Sequence, residues 1–210
     1  MDSIKNLEWR YAVKKFDEKK ILDQKKINIL KKAFNLTATS YGLQPIKLVI
    51  IQNKEIQRQL LPHSWNQQQV AQASHLLIIC TEIKIDESYV EKYFERVQKI
   101  RKTPNDIINP FKNHLKETIA NKTLEDLNSW AKNQAYLALG NLLTVCANEK
   151  IDSCPMEGFI PDKYDEVLKL RDKKLTSVLV LPVGYRSEDD LMNNQKKVRK
   201  NLDEIVLEIS

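Results

Sequence analysis

The sequence predicts a layered fold of mixed helices and strands, α/β or α+β, and three observations carry that prediction. Short β-rich apolar runs stand at 47–51, 75–81 and 177–184. Stretches with helical spacing of apolar residues, or a long apolar surface, stand at 24–36, 86–101 and 125–149. The two kinds alternate irregularly, with no internal repeat, low-complexity segment or Gly/Ser-rich linker between them. With only 4 glycines and scattered prolines, the 210 residues read as one domain.

Each element has a local reason. In 24–36, Ile27, Leu30, Ala33 and Phe34 recur at helical spacing, with Lys and Asn opposite and Asp23 as N-cap. Gln44-Pro45 ends any helix, and Lys47-Leu48-Val49-Ile50-Ile51 then reads as a strand. The run from His75 to Thr81 is apolar almost throughout, which predicts a strand buried on both faces. Residues 86–101 are charged and amphipathic, while 103–123, which hold Pro104 and Pro110, are expected to be irregular. Residues 125–149 predict one long helix, apolar nearly all round from Ala135 to Ala147 and therefore central. Ala131, Ala135 and Ala138 would admit a close helical neighbour, and the pattern leaves open a core helix or a dimer interface. Pro182 in the run 177–184 removes a ladder hydrogen bond and marks a strand end, an edge or a bulge. The tail, Glu204 to Ile209, has strand composition but no hairpin partner beside it.

The balance of 34 basic to 28 acidic residues gives a net charge of +6, compatible with nucleic acid, an anionic membrane or a small anion. The cations are spread along the chain and interleaved with acids, as in Lys14-Lys15-Phe16-Asp17-Glu18-Lys19-Lys20, which reads as solvated surface. Three cysteines (80, 146, 154) without a C-x-x-C pair argue against a disulfide framework or a zinc site; Cys80 and Cys146 read as small core residues. No apolar signal region opens the chain and no run approaches a membrane span, so a cytoplasmic, reducing setting is expected.

The sequence has no G-x-G-x-x-G, Walker loop, H-E-x-x-H or G-x-S-x-G, and His75 reads as a core histidine at the start of a strand. Without an activated side chain, the hard chemistry of an enzyme of this sequence falls to a cofactor. Four segments stand out: Arg10-Tyr11-Ala12-Val13-Lys14 near the start, the polar loop Thr37–Pro45, Cys154-Pro155-Met156-Glu157-Gly158-Phe159, and the basic run Lys196–Lys200. Each alone has a plain reading as solvated cations or a turn. A basic nucleic-acid-binding domain built on the last run is the rival from another class, but aromatics are few and none are interleaved with the cations in a recognisable module.

Taken together and in order, the segments resemble the nitroreductase family of FMN-dependent enzymes. The residues that carry the resemblance are Arg10, Lys14-x-Phe16-Asp17, Ser40-x-x-x-Gln44-Pro45, Ala73-Ser74-His75 and Gln134-x-Tyr136-Leu137-x-x-Gly140-Asn141. Pro155-Met156-Glu157-Gly158-Phe159, Pro182-Val183-Gly184-Tyr185 and Lys197-x-Arg199 complete it. The resemblance implies an α+β fold with a mainly antiparallel sheet flanked by helices, and a homodimer that exchanges its C-terminal strand. It implies FMN as cofactor, NADH or NADPH as hydride donor, a small-molecule acceptor such as a nitroaromatic or quinone, a ping-pong order, and neither nucleic-acid nor membrane partners. Acceptors of another kind, a pteridine or an enone, are the alternative within the family.

By the same resemblance Arg10, Lys197 and Arg199 match phosphate-binding positions, with Tyr11 and Ala12 beside them. Lys14 matches a residue at the flavin pyrimidine edge, to which Asn66 and Gln69 add polar contacts. Glu157 and Gly158 match positions whose backbone N–H groups reach flavin N5 and O4, with Pro155 and Met156 against one ring face. Thr39, Ser40 and Gly42 match a loop that reaches the flavin held mainly by the other subunit. No side chain is implied as catalytic, since the chemistry lies at flavin N5, and no metal is implied. Four departures stand out: Ala12 replaces a common Ser, Gln69 a common Lys, and Gly42 and Ile46 a usual Asn and an aromatic. The second removes a positive charge near the flavin, which predicts a flavin harder to reduce.

Overall fold

The structure, a computed structural model, describes residues 2–209. Its four strands, β1 (Ile46–Ile51), β2 (His75–Glu82), β3 (Asp152–Ser153) and β4 (Leu175–Gly184), form one sheet in the order β1-β2-β4-β3. Every pairing is antiparallel. The central β2 is apolar on both faces because both are covered: Leu76, Leu77, Ile78, Ile79 and Cys80 have no exposed surface. Leu76, Ile78 and Cys80 pack with Leu60, Val70 and Tyr164, from α3 (Lys54–Leu60), α4 (Gln69–Gln72) and α8 (Pro161–Val167). Leu77 and Ile79 face the other way, onto Ile27 and Leu30 of α2 (Gln24–Asn35) and Ala138 and Leu142 of α7 (Leu124–Asn148). As expected, Asp23 caps α2, its carboxylate accepting from Lys26 N at 2.7 Å.

Pro182 sits third from the end of β4, which is paired on both sides. Its carbonyl accepts from Cys154 N at 3.1 Å, so its ring nitrogen faces the short β3 side, where one missing donor costs least. The register shift in this ladder lies elsewhere, between Ile79 and Cys80.

Two expectations are corrected. The segment 103–123 is not irregular: α6 (Asn105–Ala120) runs through Pro110. Its Ile108, Leu115 and Ile119 bury against Val90 and Phe94 of α5 (Glu87–Arg101), and this packing outweighs the break that Pro110 favours. Second, α7 is buried on one side only. Ala131, Ala135 and Ala138 face the chain's own core, whereas Tyr136 and Leu137 are exposed and a Cβ at Gly140 would meet nothing within 4 Å. Within one chain, among the described residues, no strand forms over 204–209, in keeping with a segment that has no hairpin partner beside it. The segment opens on a short helix, α9 (Leu202–Ile205), fixed by a capping box between Asn201 and Glu204. Apolar Val206, Leu207 and Ile209 after it are exposed.

Candidate active site

The first helix, α1 (Ser3–Trp9), sets up the site. Asp2 caps it, accepting from Lys5 N at 3.1 Å, and Asn6 ties it to the end of α7 through Asn148 at 2.9 Å. The chain leaves α1 at Arg10 and runs extended along the sheet end: Val13 N donates to Ser153 O and Asp17 N to Tyr185 O. Beyond β4 the chain folds back over this segment. Asp190, 4% exposed, accepts from the Tyr11 hydroxyl at 3.1 Å and from Lys14 N at 3.0 Å. Arg186 pairs with Asp152 and stacks on the Trp9 and Tyr11 rings, its guanidinium carbon 4.4 and 4.5 Å from their centroids.

The return brings the two chain ends together. Lys197 Nζ donates to the backbone carbonyl of Arg10. Arg10, Tyr11, Ala12, Pro155, Lys197 and Arg199 line one cleft of about 390 Å³. Among the described residues no ion pair joins Arg10, Lys197 or Arg199 to a carboxylate. Arg10 Nε is buried and has no hydrogen-bond partner. Burial, and then the charges of Arg10, Arg199 and Arg186, hold the Lys197 ammonium below the usual lysine range. A cleft of unpaired cations with an orphaned guanidinium N–H is built for an anion.

A second group lies next to the first. Lys14 Nζ and Gln69 Nε2 both lie 3.8 Å from Cys154 Sγ. Burial pushes the Cys154 thiol up, with Lys14 pulling the other way. Gln69 is buried, and its Nε2 also donates to Gln67 Oε1 at 3.1 Å, while Gln67 Nε2 donates to Gly158 O at 2.8 Å. Gly158 allows close approach: a Cβ there would stand 2.8 Å from the Trp65 ring and 2.9 Å from Gln67 Nε2. The neighbouring Trp65 and Asn66 both adopt left-handed backbone, φ 52° and 57°, and both are exposed. The Glu157 carboxylate is drawn toward α7, accepting from the Tyr136 hydroxyl at 2.8 Å.

Not every expected residue converges here. Met156 is buried in the core beneath the sheet, its N–H on Val180 O, so Pro155 but not Met156 lines the cleft. The loop bearing Thr39, Ser40 and Gly42 stands against α7 and α5 instead. Ser40 N donates to Gln134 Oε1 at 2.8 Å, and Gly42 (φ +73°) abuts the Tyr93 hydroxyl. Within the chain this loop does not line the cationic cleft. Asp190, Arg186, Gln67 and Trp65 were not expected. Asp190 and Arg186 lie in a loop that no periodicity marks, and Gln67 stands in a run of three glutamines without a chemical signature. His75 is a core residue as expected: buried, with Nδ1 2.8 Å from the Ser74 hydroxyl. All three cysteines are free and buried. Among the described residues no His/Cys/Asp/Glu group fits a metal, and no helix is long and apolar enough to cross a membrane.

An antiparallel sheet between helical layers, with a cationic cleft made by both chain ends, defines an α+β protein whose candidate site is suited to a phosphorylated or otherwise anionic molecule. The model of the Nitroreductase family matches residues 7–185. The chain is 30% identical over 212 residues to YfkO of Bacillus subtilis, named as a candidate NAD(P)H nitroreductase, covering 94% of this chain and 93% of that protein. Among solved structures it resembles ydfN of Bacillus subtilis, a candidate nitroreductase, with TM-score 0.88 at 16% identity, covering 98% of both chains. It also resembles a candidate nitroreductase from Exiguobacterium sibiricum in complex with FMN, with TM-score 0.85 at 18% identity, covering 100% of this chain and 98% of that one. The chain belongs to the nitroreductase family, a family of oxidoreductases.

Proposed function

We propose that all 210 residues form one FMN-binding domain and that the protein is a cytoplasmic NAD(P)H-dependent reductase of nitroaromatics, quinones or similar acceptors. The residues present fit FMN. Its phosphate, with a charge near −2, matches a cleft where Arg10, Lys197 and Arg199 lack acidic partners and Arg10 Nε lacks any. When bound, FMN supplies hydride transfer at N5, first from NADH or NADPH and then to the acceptor, in ping-pong order. The chain supplies the rest. Arg10, Lys197 and Arg199 hold the phosphate beside Tyr11 and Ala12. Lys14 places an ammonium where negative charge develops on the reduced ring, with Asn66 and Gln69 at the same edge. The Glu157 and Gly158 backbone N–H groups aim at the reacting edge, and Pro155 covers one ring face and excludes water.

The site is completed by a second copy of the chain, whose Thr39–Gly42 loop reaches across. Three observations support a homodimer: that loop stands apart from the chain's own cleft, α7 has an exposed face around Tyr136, Leu137 and Gly140, and the tail is apolar and exposed. The edge of β1, unpaired on one side, suits the exchanged tail.

One observation carries the reading: residues 187 positions apart, Arg10 and Lys197, meet at a single anion cleft. The purified protein is expected to be yellow, to hold one FMN per 24.5 kDa chain, and to lose its visible absorbance when NADH or NADPH is added without oxygen. A colourless protein that neither binds added FMN nor oxidises either nucleotide sinks the reading. Colour with reduction of pteridines or enones but not of nitroaromatics or quinones moves the acceptor to the alternative class.

A further inference from the structure

Gln67 lies within the second group of the candidate site and bonds at both ends of its amide. Its amide nitrogen holds the Gly158 carbonyl at 2.8 Å, and its amide oxygen receives Gln69 Nε2 at 3.1 Å. Gln69 Nε2 continues to Cys154 Sγ at 3.8 Å, and Lys14 Nζ reaches the same sulfur at 3.8 Å. Polar contacts therefore run unbroken from the Gly158 carbonyl to the Lys14 ammonium. The amide orientation follows from the partners, since a flipped Gln67 would set its oxygen against a carbonyl and its nitrogen against Gln69 Nε2. Glycine at 158 has free backbone torsions, and the bond from Gln67 restrains them. The sulfur link is held as a neutral thiol by burial, so no negative charge cancels the Lys14 ammonium.

We propose that Gln67 is a positioning residue of the FMN site, locking the Gly158 backbone and the Lys14 ammonium into one fixed relation through Gln69 and Cys154. The proposal rests on the FMN reading above. It gives the polar run at 67–69 a role that its separate contacts would not have: the donor at one flavin edge and the cation at another are set by a shared support.

The test uses Gln67→Leu, which removes both bonds, and Gln67→Glu, which keeps the acceptor for Gln69 but loses the donor to Gly158. FMN affinity is read by fluorescence titration and the midpoint potential of bound FMN by spectroscopic redox titration, with folding followed by circular dichroism. In Gln67→Leu the FMN Kd is expected to rise about five- to tenfold, with a lower potential and a displaced visible band. Cys154→Ala is expected to change the potential less in the Gln67→Leu background than in the wild type, because the bridge is already broken. If Gln67→Leu fails to fold, Gln67→Glu decides by the same readouts. Unchanged affinity and potential in the folded Gln67 variants, or additive effects of the Gln67 and Cys154 changes, overturn the proposal. A wild type that binds no FMN overturns the functional reading instead, so the two failures are distinct.

Discussion

By the resemblance Gln69 matches a position where the family commonly has lysine, and its surroundings give that departure a consequence that can be tested. Its amide is buried between Gln67 and Cys154, and the Lys14 ammonium meets the same sulfur. A single ammonium stabilises negative charge on a reduced ring less than two would. Gln69→Lys is therefore expected to raise the midpoint potential of bound FMN by about 30 mV, the two-electron equivalent of ~1.4 kcal/mol. Redox titration of the two proteins side by side checks it, and an equal or lower potential in the variant removes the argument. Asp190 acts on the same segment from below. Burial alone would raise its pKa, but N–H groups of Met192, Lys14 and Lys15 and the Tyr11 hydroxyl outweigh that and hold it below the usual carboxylate range. A depressed folded-state pKa contributes stability that is full above the unfolded value and is lost as pH falls through the folded one. Asp190→Asn is thus expected to lower stability at neutral pH by about 1–3 kcal/mol and to flatten its decline below the ordinary Asp range. Denaturant titrations at several pH values measure both.

At the scale of elements, α6 shows a helix formed against a local signal. Pro110 removes one intrahelical bond and crowds the carbonyl of Asp106, yet Ile108, Leu115 and Ile119 carry the helix onto α5. Pro110→Ala is expected to stabilise the protein by about 1–2 kcal/mol, less than the ~3 kcal/mol of an isolated helix because proline also restricts the unfolded chain. Urea titration at fixed protein concentration measures it; unchanged or reduced stability would mean the kink itself is needed for packing. What was legible in the sequence follows the same division. β1, β2, β4, α2, α5 and α7 were readable because burial leaves a periodic apolar trace, and Asp23 because capping is local. The irregularity expected of 103–123 rested on two prolines, a local cue that tertiary contact overrode. The side of α7 that is buried was not legible either, since an all-round apolar helix gives no phase. The tail's composition fits a strand, but strand identity belongs to a ladder, and within the described residues of one chain no strand pairs with it. In the site, Arg10, Lys197 and Arg199, which the structure brings to one cleft, were singled out through their order along the chain, whereas the Thr39–Gly42 loop and Met156 do not line that cleft. Asp190 and Gln67 were not, because their roles come from what folds against them.

At the scale of the whole molecule, the cleft exists only when the chain is folded, since Arg10 and Lys197 are 187 positions apart. The unfolded chain has no equivalent site, so FMN is expected to stabilise the protein by about 2.7 kcal/mol at a hundredfold excess over its Kd. The same convergence makes binding depend on pH. Lys197 is held below the ordinary lysine value by burial and by the charges of Arg10, Arg199 and Arg186, which outweigh the opposing pull of Glu8. On the reading proposed above, a phosphate bound at this cleft would reverse that balance and favour the ammonium, so the Lys197 pKa is expected to be higher with FMN than without. Protonated Lys197 then binds FMN more tightly than neutral Lys197. Affinity is expected to hold steady below the depressed pKa of the free protein, to fall as pH rises through it, and to level off above the pKa of the complex, with proton uptake on binding in between. Calorimetric titration of FMN in buffers of different ionisation enthalpy measures that uptake directly. Lys197→Arg, which stays charged throughout, is expected to abolish this alkaline fall while keeping FMN bound; the same fall in the variant would place the titrating group elsewhere.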